Sequence, residues 1–153
     1  MSDSAPRLPA QNVGAAGEHY VAMQLNRHGI DTAMLTSGNP VSDLIAHLDG
    51  AIASVQVKTS SKSVERPNDL FMHPAKVTRP DFLMVVMLAP EPVAFALPRA
   101  ATIEWCAQFN DGHATAPVTR MNLRSREFLQ PYREAWHLVV QHLAAASTRP
   151  AAA

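Results

Sequence analysis

The sequence predicts one α/β domain, an α/β sandwich in which helices flank a mixed central sheet. The chain has 153 residues, which is the size of a single domain. Its composition, 47% hydrophobic and 17% charged, is typical of a globular protein with a buried core. Apolar residues recur at helical spacing near both ends and at strand spacing between them. We expect the domain to cover residues 12–143, with flexible tails at 1–11 and 144–153.

The first periodic segment, VGAAGEHYVAMQLNRHG at 13–29, predicts an amphipathic helix that ends at Gly29. On a helical wheel, one face collects Gly14, Glu18, Val21, Ala22, Leu25 and Gly29. Glu18 lies at the centre of this face, where an unpaired carboxylate either costs several kcal/mol or stays protonated. It therefore needs a cation beside it, either a lysine or a metal ion.

The middle of the chain predicts strands joined by tight turns. DTAMLTS is a short strand candidate, and the GNP that follows it is a turn. The alternating runs VSDLIAHL and AIASVQVKTS flank an Asp-Gly pair, which is a strong signal for a β-hairpin. The continuous apolar runs DFLMVVMLA and VAFALP predict two further strands, the first of them central and covered on both faces.

The last third of the chain predicts helices. ATIEWCAQF at 101–109 is a short helix, TRMNL at 119–123 is an edge strand, and FLQPYREAWHLVVQHLAA at 128–145 is a final helix. The apolar stripe of that final helix consists of Tyr132, Trp136, Val139, Val140 and Leu143. The expected order is a helix, then mostly antiparallel strands, then helices.

The hairpin register brings polar residues together. With Asp49 and Gly50 as the turn, Asp43 lies directly opposite Gln56. Lys58 is then the diagonal neighbour of Asp43, so the three side chains share one face of the hairpin. A solvated polar face is the ordinary explanation of such a pattern. The apolar surroundings expected for Glu18 favour a functional site instead.

These residue types suit metal-assisted hydrolysis of a phosphodiester. Mg²⁺ prefers oxygen ligands, which two carboxylates and an amide supply. A metal-bound water is acidified and attacks phosphorus, while an ammonium group neutralises charge on the phosphate oxygens.

The segments GEHYVAMQLNRHG, SDLIAHLDG and VQVKTS together resemble the PD-(D/E)XK nuclease superfamily, in the form of small members with a D…QxK motif. The resemblance covers roughly residues 13–143 and implies a restriction-endonuclease-like α/β sandwich. It also implies a DNA endonuclease that depends on Mg²⁺, for which Mn²⁺ can substitute. The chain departs from the commonest pattern in one place, because Gln56 stands where most members have Glu.

Carried over residue by residue, the resemblance assigns four catalytic positions. Asp43 is the metal-binding aspartate, Gln56 is the first position of the QxK pair, and Lys58 is the catalytic lysine. Glu18 is the helix carboxylate that completes the site. The implied metal ligands are Asp43, Glu18 and Gln56. His47 lies on the same hairpin face as Asp43. Two interpretations of His47 stay open, a role in the site and a solvated or hydrogen-bonded histidine.

The charge distribution points to a local nucleic-acid site. Thirteen basic and thirteen acidic residues give no net charge, so the whole protein does not steer itself toward DNA. Two groups of cations are candidates for phosphate contact. We prefer the group that follows the hairpin, namely Lys62, Arg66, Lys76 and Arg79, over the arginines near the last helix.

Several further expectations concern partners and location. One site per chain suggests a homodimer for cutting two strands. The single cysteine, Cys106, suggests a reducing compartment and therefore the cytoplasm, and no segment predicts a membrane span. Two other interpretations remain open. One is a catalytically silent nucleic-acid-binding or regulatory protein that has kept the nuclease fold. The other is a structural interaction domain in which a salt bridge neutralises Glu18.

Overall fold

The computed structural model describes residues 7–36, 39, 41–112 and 114–148. The helices are α1 (Ala10–Arg27), α2 (Pro74–Val77), α3 (Arg99–Phe109), α4 (Leu123–Leu129) and α5 (Trp136–Ser147), with a short 3₁₀ helix at Gln130–Tyr132. The strands are β1 (Asp31–Met34), β2 (Leu44–Leu48), β3 (Ala51–Ser60), β4 (Leu70–Phe71), β5 (Phe82–Met87), β6 (Val93–Pro98) and β7 (Val118–Thr119).

The main sheet is mixed, as the sequence predicts. Its five strands run in the order β1-β2-β3-β5-β6, and β4 and β7 form a separate two-stranded sheet. β3 and β5 are parallel, whereas the other neighbours in the main sheet are antiparallel. Every residue of β5 is buried, which confirms the central strand covered on both faces.

Two layers of helices cover the main sheet unequally. On one face, α1 and α5 bury the residues of β3 that include Val55 and Val57. On the other face, α3 and α4 bury alternate residues of β5 and β6, such as Val85 and Phe95. That second core contains no residue of β2 or β3. Asp43, Gln56 and Lys58 are accordingly only half-buried.

The hairpin formed by β2 and β3 has the predicted register. Asp49 and Gly50 both have positive φ, of 50° and 81°, as a two-residue hairpin turn of type I′ requires. Leu48 pairs with Ala51, and the ladder continues to Leu44 opposite Val55. The ladder ends at this pair, one residue short of Asp43, whose amide donates to the carbonyl of Val55.

Helix α1 is rotated slightly from the predicted wheel. Its buried residues are Gly17, Val21 and Leu25, so Glu18 lies beside the buried stripe and not at its centre. The difference arises because glycine carries no hydrophobic signal, although Gly17 marks the closest approach to the sheet. Gly29 has a φ of 79° just after the helix, as expected for a residue that ends one.

The predicted final helix over 128–145 is wrong in one respect, because it is broken. Pro131 falls in the 3₁₀ turn, and Glu134 adopts a positive φ of 48° before α5 begins. The carboxylate of Glu134 accepts hydrogen bonds from Tyr20 Oη, from the amide of Ala94 and from Trp136 Nε1. The contacts with Tyr20 and Ala94, which are distant in the sequence, help to fix the break, and the local apolar period does not reveal them.

Other boundaries also differ from the expectation. The predicted strand over 119–123 keeps only its first residue in β7, because Asn122 caps α4 by accepting a hydrogen bond from the amide of Ser125. The elements β4 and α2 are too short to show a period. Residues 10–11 and 144–147, which the sequence assigns to tails, are helical. None of the described helices is both long enough and apolar enough to cross a membrane.

Candidate functional site

Asp43 immediately precedes β2, next to the last pair of the hairpin ladder. Its amide donates a 2.9 Å hydrogen bond to the carbonyl of Val55. Its Oδ2 atom accepts two more hydrogen bonds, from Gln56 Nε2 at 2.8 Å and from the amide of Val57 at 2.7 Å. The side chain of Asp43 is thus held on the face that carries Gln56.

The pKa of Asp43 reflects a balance between burial and its neighbours. Burial raises the pKa of its carboxyl above the ordinary value. The hydrogen bond from Val57 and the positive charge of Lys58 both lower this pKa, but burial dominates. Lys58 forms no ion pair with Asp43 among the described residues, but it lies near enough for its charge to lower this pKa.

Glu18 reaches the same site from helix α1. Burial raises the pKa of Glu18, the negative charge of Asp43 raises it further, and His19 lowers it. The two carboxylates are therefore close enough to repel each other. Glu18 forms no ion pair with any described residue, so the salt bridge that the structural-domain interpretation needs is not found in this part of the chain.

The other three predicted site residues thus each lie near Asp43: Gln56 by a hydrogen bond, and Lys58 and Glu18 by electrostatic interaction. Their donor atoms are of the kind that hard divalent cations prefer. Within the described residues, Oδ1 of Asp43 and the carboxylate of Glu18 accept no hydrogen bond, whereas Oδ2 of Asp43 accepts two. No group of three or more His, Cys, Asp or Glu residues that could hold a metal occurs in the described ranges. A cation here would depend on two carboxylates, an amide oxygen and water.

His47 does not join this group. It lies four residues beyond Asp43 along the hairpin, a distance of about 13 Å at strand spacing. Its Nδ1 atom lies 3.8 Å from Oδ2 of Asp31 on the neighbouring strand, and both side chains are exposed. His47 is thus a surface residue at the turn end of the hairpin.

The four cations predicted to contact nucleic acid are all exposed. No ion pair joins Lys62, Arg66, Lys76 or Arg79 to another described residue. They do not form one cluster, because Lys62 follows the end of β3 whereas Arg79 precedes the start of β5, and these two strands are parallel. The cations are therefore spread along the sheet, toward both ends of β3.

Two of the arginines near the last helix have partners within the protein. Arg120 binds the carboxylates of Asp69 and Asp111, and Arg126 donates to the carbonyls of Val64 and Glu65. These contacts fix the loop after β3 and the small β4–β7 sheet.

Comparisons with known protein families and with curated protein sequences find no match. Among solved structures, a bacterial homing endonuclease is similar to this chain, with a TM-score of 0.66 and 20% sequence identity. The alignment covers 93% of this chain and all of the endonuclease chain. The chain has a nuclease-like α/β fold. At this level of identity the similarity bears on the fold alone, and it extends over nearly the whole domain.

Two residues that support the site of this nuclease-like fold escape sequence reasoning. Asp81, which immediately precedes β5, accepts hydrogen bonds from the amide and hydroxyl of Ser54 at 2.9 and 3.2 Å. It thereby ties β3 to the start of β5, two residues before Gln56. The second is Gly17, which lies against Thr59 of β3. Only the Gly-Glu pair in the sequence could have drawn attention to it.

Proposed function

We propose that the protein is a Mg²⁺-dependent DNA endonuclease of the PD-(D/E)XK type. The observation that carries this proposal is that Gln56, Lys58 and Glu18 each interact with Asp43. The nuclease-like fold supports it, since the similar structure is that of a homing endonuclease. Fold alone does not establish an activity, so the proposal depends on the chemistry of these four side chains.

Each side chain has a distinct role in the proposed reaction. Oδ1 of Asp43, the carboxylate of Glu18 and Oε1 of Gln56 would hold Mg²⁺, or Mn²⁺ in its place. When bound, the metal ion would acidify a coordinated water and offset charge on the scissile phosphate. Lys58 would donate to a phosphate oxygen and stabilise the charge that develops in the transition state. Nε2 of Gln56 keeps Asp43 oriented by its hydrogen bond.

Binding to DNA would use the exposed cations. Lys62, Arg66, Lys76 and Arg79 would contact phosphates on either side of the scissile bond, because they lie toward both ends of β3. The chain has no net charge, so these contacts would be local and sensitive to salt. A homodimer would supply a second site for the second strand.

A plasmid-nicking assay tests the proposal, with Mg²⁺, Mn²⁺ or a chelator added to the full chain. Asp43→Asn is the decisive variant, since an Asn oxygen can still accept from Val57 and so preserve the fold. Asp31→Asn is the matched control, because Asp31 is an exposed carboxylate on the same sheet. We expect cleavage to fall by about 100-fold or more in Asp43→Asn and to be unchanged in Asp31→Asn.

Two results would count against the proposal. Cleavage that persists with chelator, or in Asp43→Asn, would exclude the metal role of this residue. DNA binding without cleavage under any metal condition would favour the alternative of a silent nucleic-acid-binding protein.

A further inference from the structure

Helix α1 approaches strand β3 so closely at Gly17 that no side chain fits between them. A Cβ atom at this position would lie 1.8 Å from Oγ1 of Thr59, and 2.8 Å from both Cβ and Cγ2 of the same residue. Gly17 is buried, and Val21 and Leu25 continue its stripe one and two turns later with no exposed surface. The absence of a side chain at Gly17 therefore sets the distance between the helix and the strand.

Glu18 follows Gly17 directly, so its depth depends on this contact. The helix lies on the sheet face that buries Val55 and Val57, whereas Gln56 and Lys58 belong to the opposite face. Glu18 nevertheless lies near enough to Asp43 for the charge of Asp43 to raise its pKa, and it follows the residue at which α1 lies against β3. An outward shift of α1 would withdraw the carboxylate of Glu18 from Asp43.

We propose that Gly17 is a positioning residue of the candidate site. Its missing side chain lets α1 lie against Thr59, and this contact places Glu18 beside Asp43. The consequence for metal binding rests on the proposed function, whereas the placement of Glu18 does not.

Gly14 provides a matched control on the same helix. A Cβ atom at Gly14 would meet no other atom within 4 Å. Gly14→Ala and Gly17→Ala are the same chemical change one turn apart, and both improve helix propensity. Only Gly17→Ala introduces a clash. Thr59→Gly removes the atoms that cause it, so Gly17→Ala/Thr59→Gly is the compensated variant.

Crystal structures of these chains test the placement without any metal or DNA. In Gly17→Ala we expect the separation of the Glu18 and Asp43 carboxylates to grow by about 1 Å, because ordinary atomic contact needs about 3.5–4.0 Å. The backbone-bound Cβ of Thr59, at 2.8 Å from the added atom, cannot rotate away. We expect the separation to return to the parental value in the double variant and to stay unchanged in Gly14→Ala.

An unchanged carboxylate separation in Gly17→Ala would overturn the inference. If Gly17→Ala does not fold, the double variant decides alone. The inference is supported if Gly17→Ala/Thr59→Gly folds and has the parental separation between the Glu18 and Asp43 carboxylates. It is overturned if the double variant does not fold or does not regain that separation. Thermal melts of all variants establish which of them fold.

Titration with Mn²⁺ supplies a second measurement that distinguishes positioning from a general structural effect. We expect Gly17→Ala to weaken Mn²⁺ binding about tenfold, and to have no further effect in a chain that already carries Glu18→Gln. Equal weakening in both backgrounds would mean that Gly17 does not act through Glu18. If the parental chain binds no Mn²⁺, the proposed function fails, and the crystal structures still decide the placement of Glu18.

Discussion

Gln56 donates a 2.8 Å hydrogen bond from its side-chain amide to Oδ2 of Asp43, across the β2–β3 hairpin. The amide of Val57 donates to the same oxygen. Both bonds therefore use one oxygen of Asp43 and leave the other without a donor among the described residues. An ionised glutamate at position 56 could not make this bond, because a carboxylate only accepts hydrogen bonds. The side-chain amide of Gln56 thus explains how Asp43 and Gln56 can be ordered together on a half-buried face.

The first prediction concerns Gln56→Glu. The change replaces a hydrogen-bond donor by a third negative charge next to Asp43, so we expect a modest loss of stability without metal. With metal, the added charge should strengthen Mg²⁺ binding about tenfold, or about 1.4 kcal/mol in free energy. Thermal melts with and without Mg²⁺ measure both effects. Gln141→Glu, at an exposed position on α5, is the control for added charge. Equal gains from Mg²⁺ in the parent and in Gln56→Glu would show that position 56 faces no metal.

The second prediction concerns pH, and it follows from the raised pKa of Glu18. Burial and the charge of Asp43 make the folded chain hold the proton more tightly than the unfolded chain does. Stability should therefore fall as pH rises from the ordinary pKa of 4.5 through the raised value, and the full cost is present at neutral pH. We expect Glu18→Gln to melt higher than the parent at neutral pH, with the gap closing well below pH 4.5.

Melting curves over this range of pH check the prediction, with Glu127→Gln as the control at an exposed position on α4. A Glu18→Gln chain that is less stable than the parent at neutral pH would mean that the carboxylate makes a favourable interaction. Metal binding should weaken on acidification for the same reason, since the bound carboxylates must be ionised.

The third prediction concerns Glu134, which joins α1, β6 and α5. Its carboxylate accepts from Tyr20, Ala94 and Trp136, at 2.9, 2.9 and 2.6 Å. We expect Glu134→Ala to lower the free energy of unfolding by about 3 kcal/mol, because buried donors lose a charged acceptor. Denaturant unfolding measures this loss, and Glu127→Ala should change stability by less than about 0.5 kcal/mol.

The same variant should alter the titration of Tyr20. Burial, followed by the hydrogen bond to Glu134 and its charge, raises the pKa of Tyr20 to about 12. Without Glu134 this pKa should fall part of the way toward 10.0, since burial is the largest cause and remains. An ultraviolet titration that shows no change would contradict the role of Glu134 as its partner.

The fourth prediction concerns the exposed cations after β3. We expect Lys62→Ala/Arg66→Ala to weaken DNA binding and to reduce the slope of log affinity against log salt by about 0.9 for each phosphate that the variant no longer neutralises. Fluorescence anisotropy with a duplex at several salt concentrations measures the slope. Arg124→Ala, an exposed arginine on α4, is the control. Equal slopes in the parent and the double variant would place the DNA elsewhere.

Sequence reasoning succeeds where the determinants are local. The Asp49–Gly50 turn fixes the hairpin register, and this register predicts that Asp43 lies near Gln56, to which it is hydrogen-bonded in the structure. The buried strand β5 is equally clear from its unbroken apolar run.

Sequence reasoning fails where distant residues decide. The break before α5 depends on Glu134, whose partner Tyr20 is 114 residues away in the chain. The rotation of α1 depends on the contact between Gly17 and Thr59, which no hydrophobic period reveals. The pairing of β3 with β5 in parallel also follows no local signal, because it needs a crossover through residues 61–81.

The two-residue turn of the hairpin has a consequence for the order of folding. Hairpins close in about 1–10 μs, so Asp43, Gln56 and Lys58 can meet as soon as β2 and β3 pair. Glu18 joins them only when α1 docks on β3, and this docking joins residues far apart in the chain at a larger cost in loop-closure entropy.

We therefore expect substitutions inside the hairpin to slow folding, and substitutions that loosen the packing of α1 mainly to speed unfolding. Folding and unfolding rates of Val55→Ala and Val21→Ala would separate the two cases, and equal φ-values at both positions would contradict this order. The site would then be complete only at the last step of folding. A chain that has not finished folding would bring Lys58 near Asp43 but would lack the second carboxylate, that of Glu18.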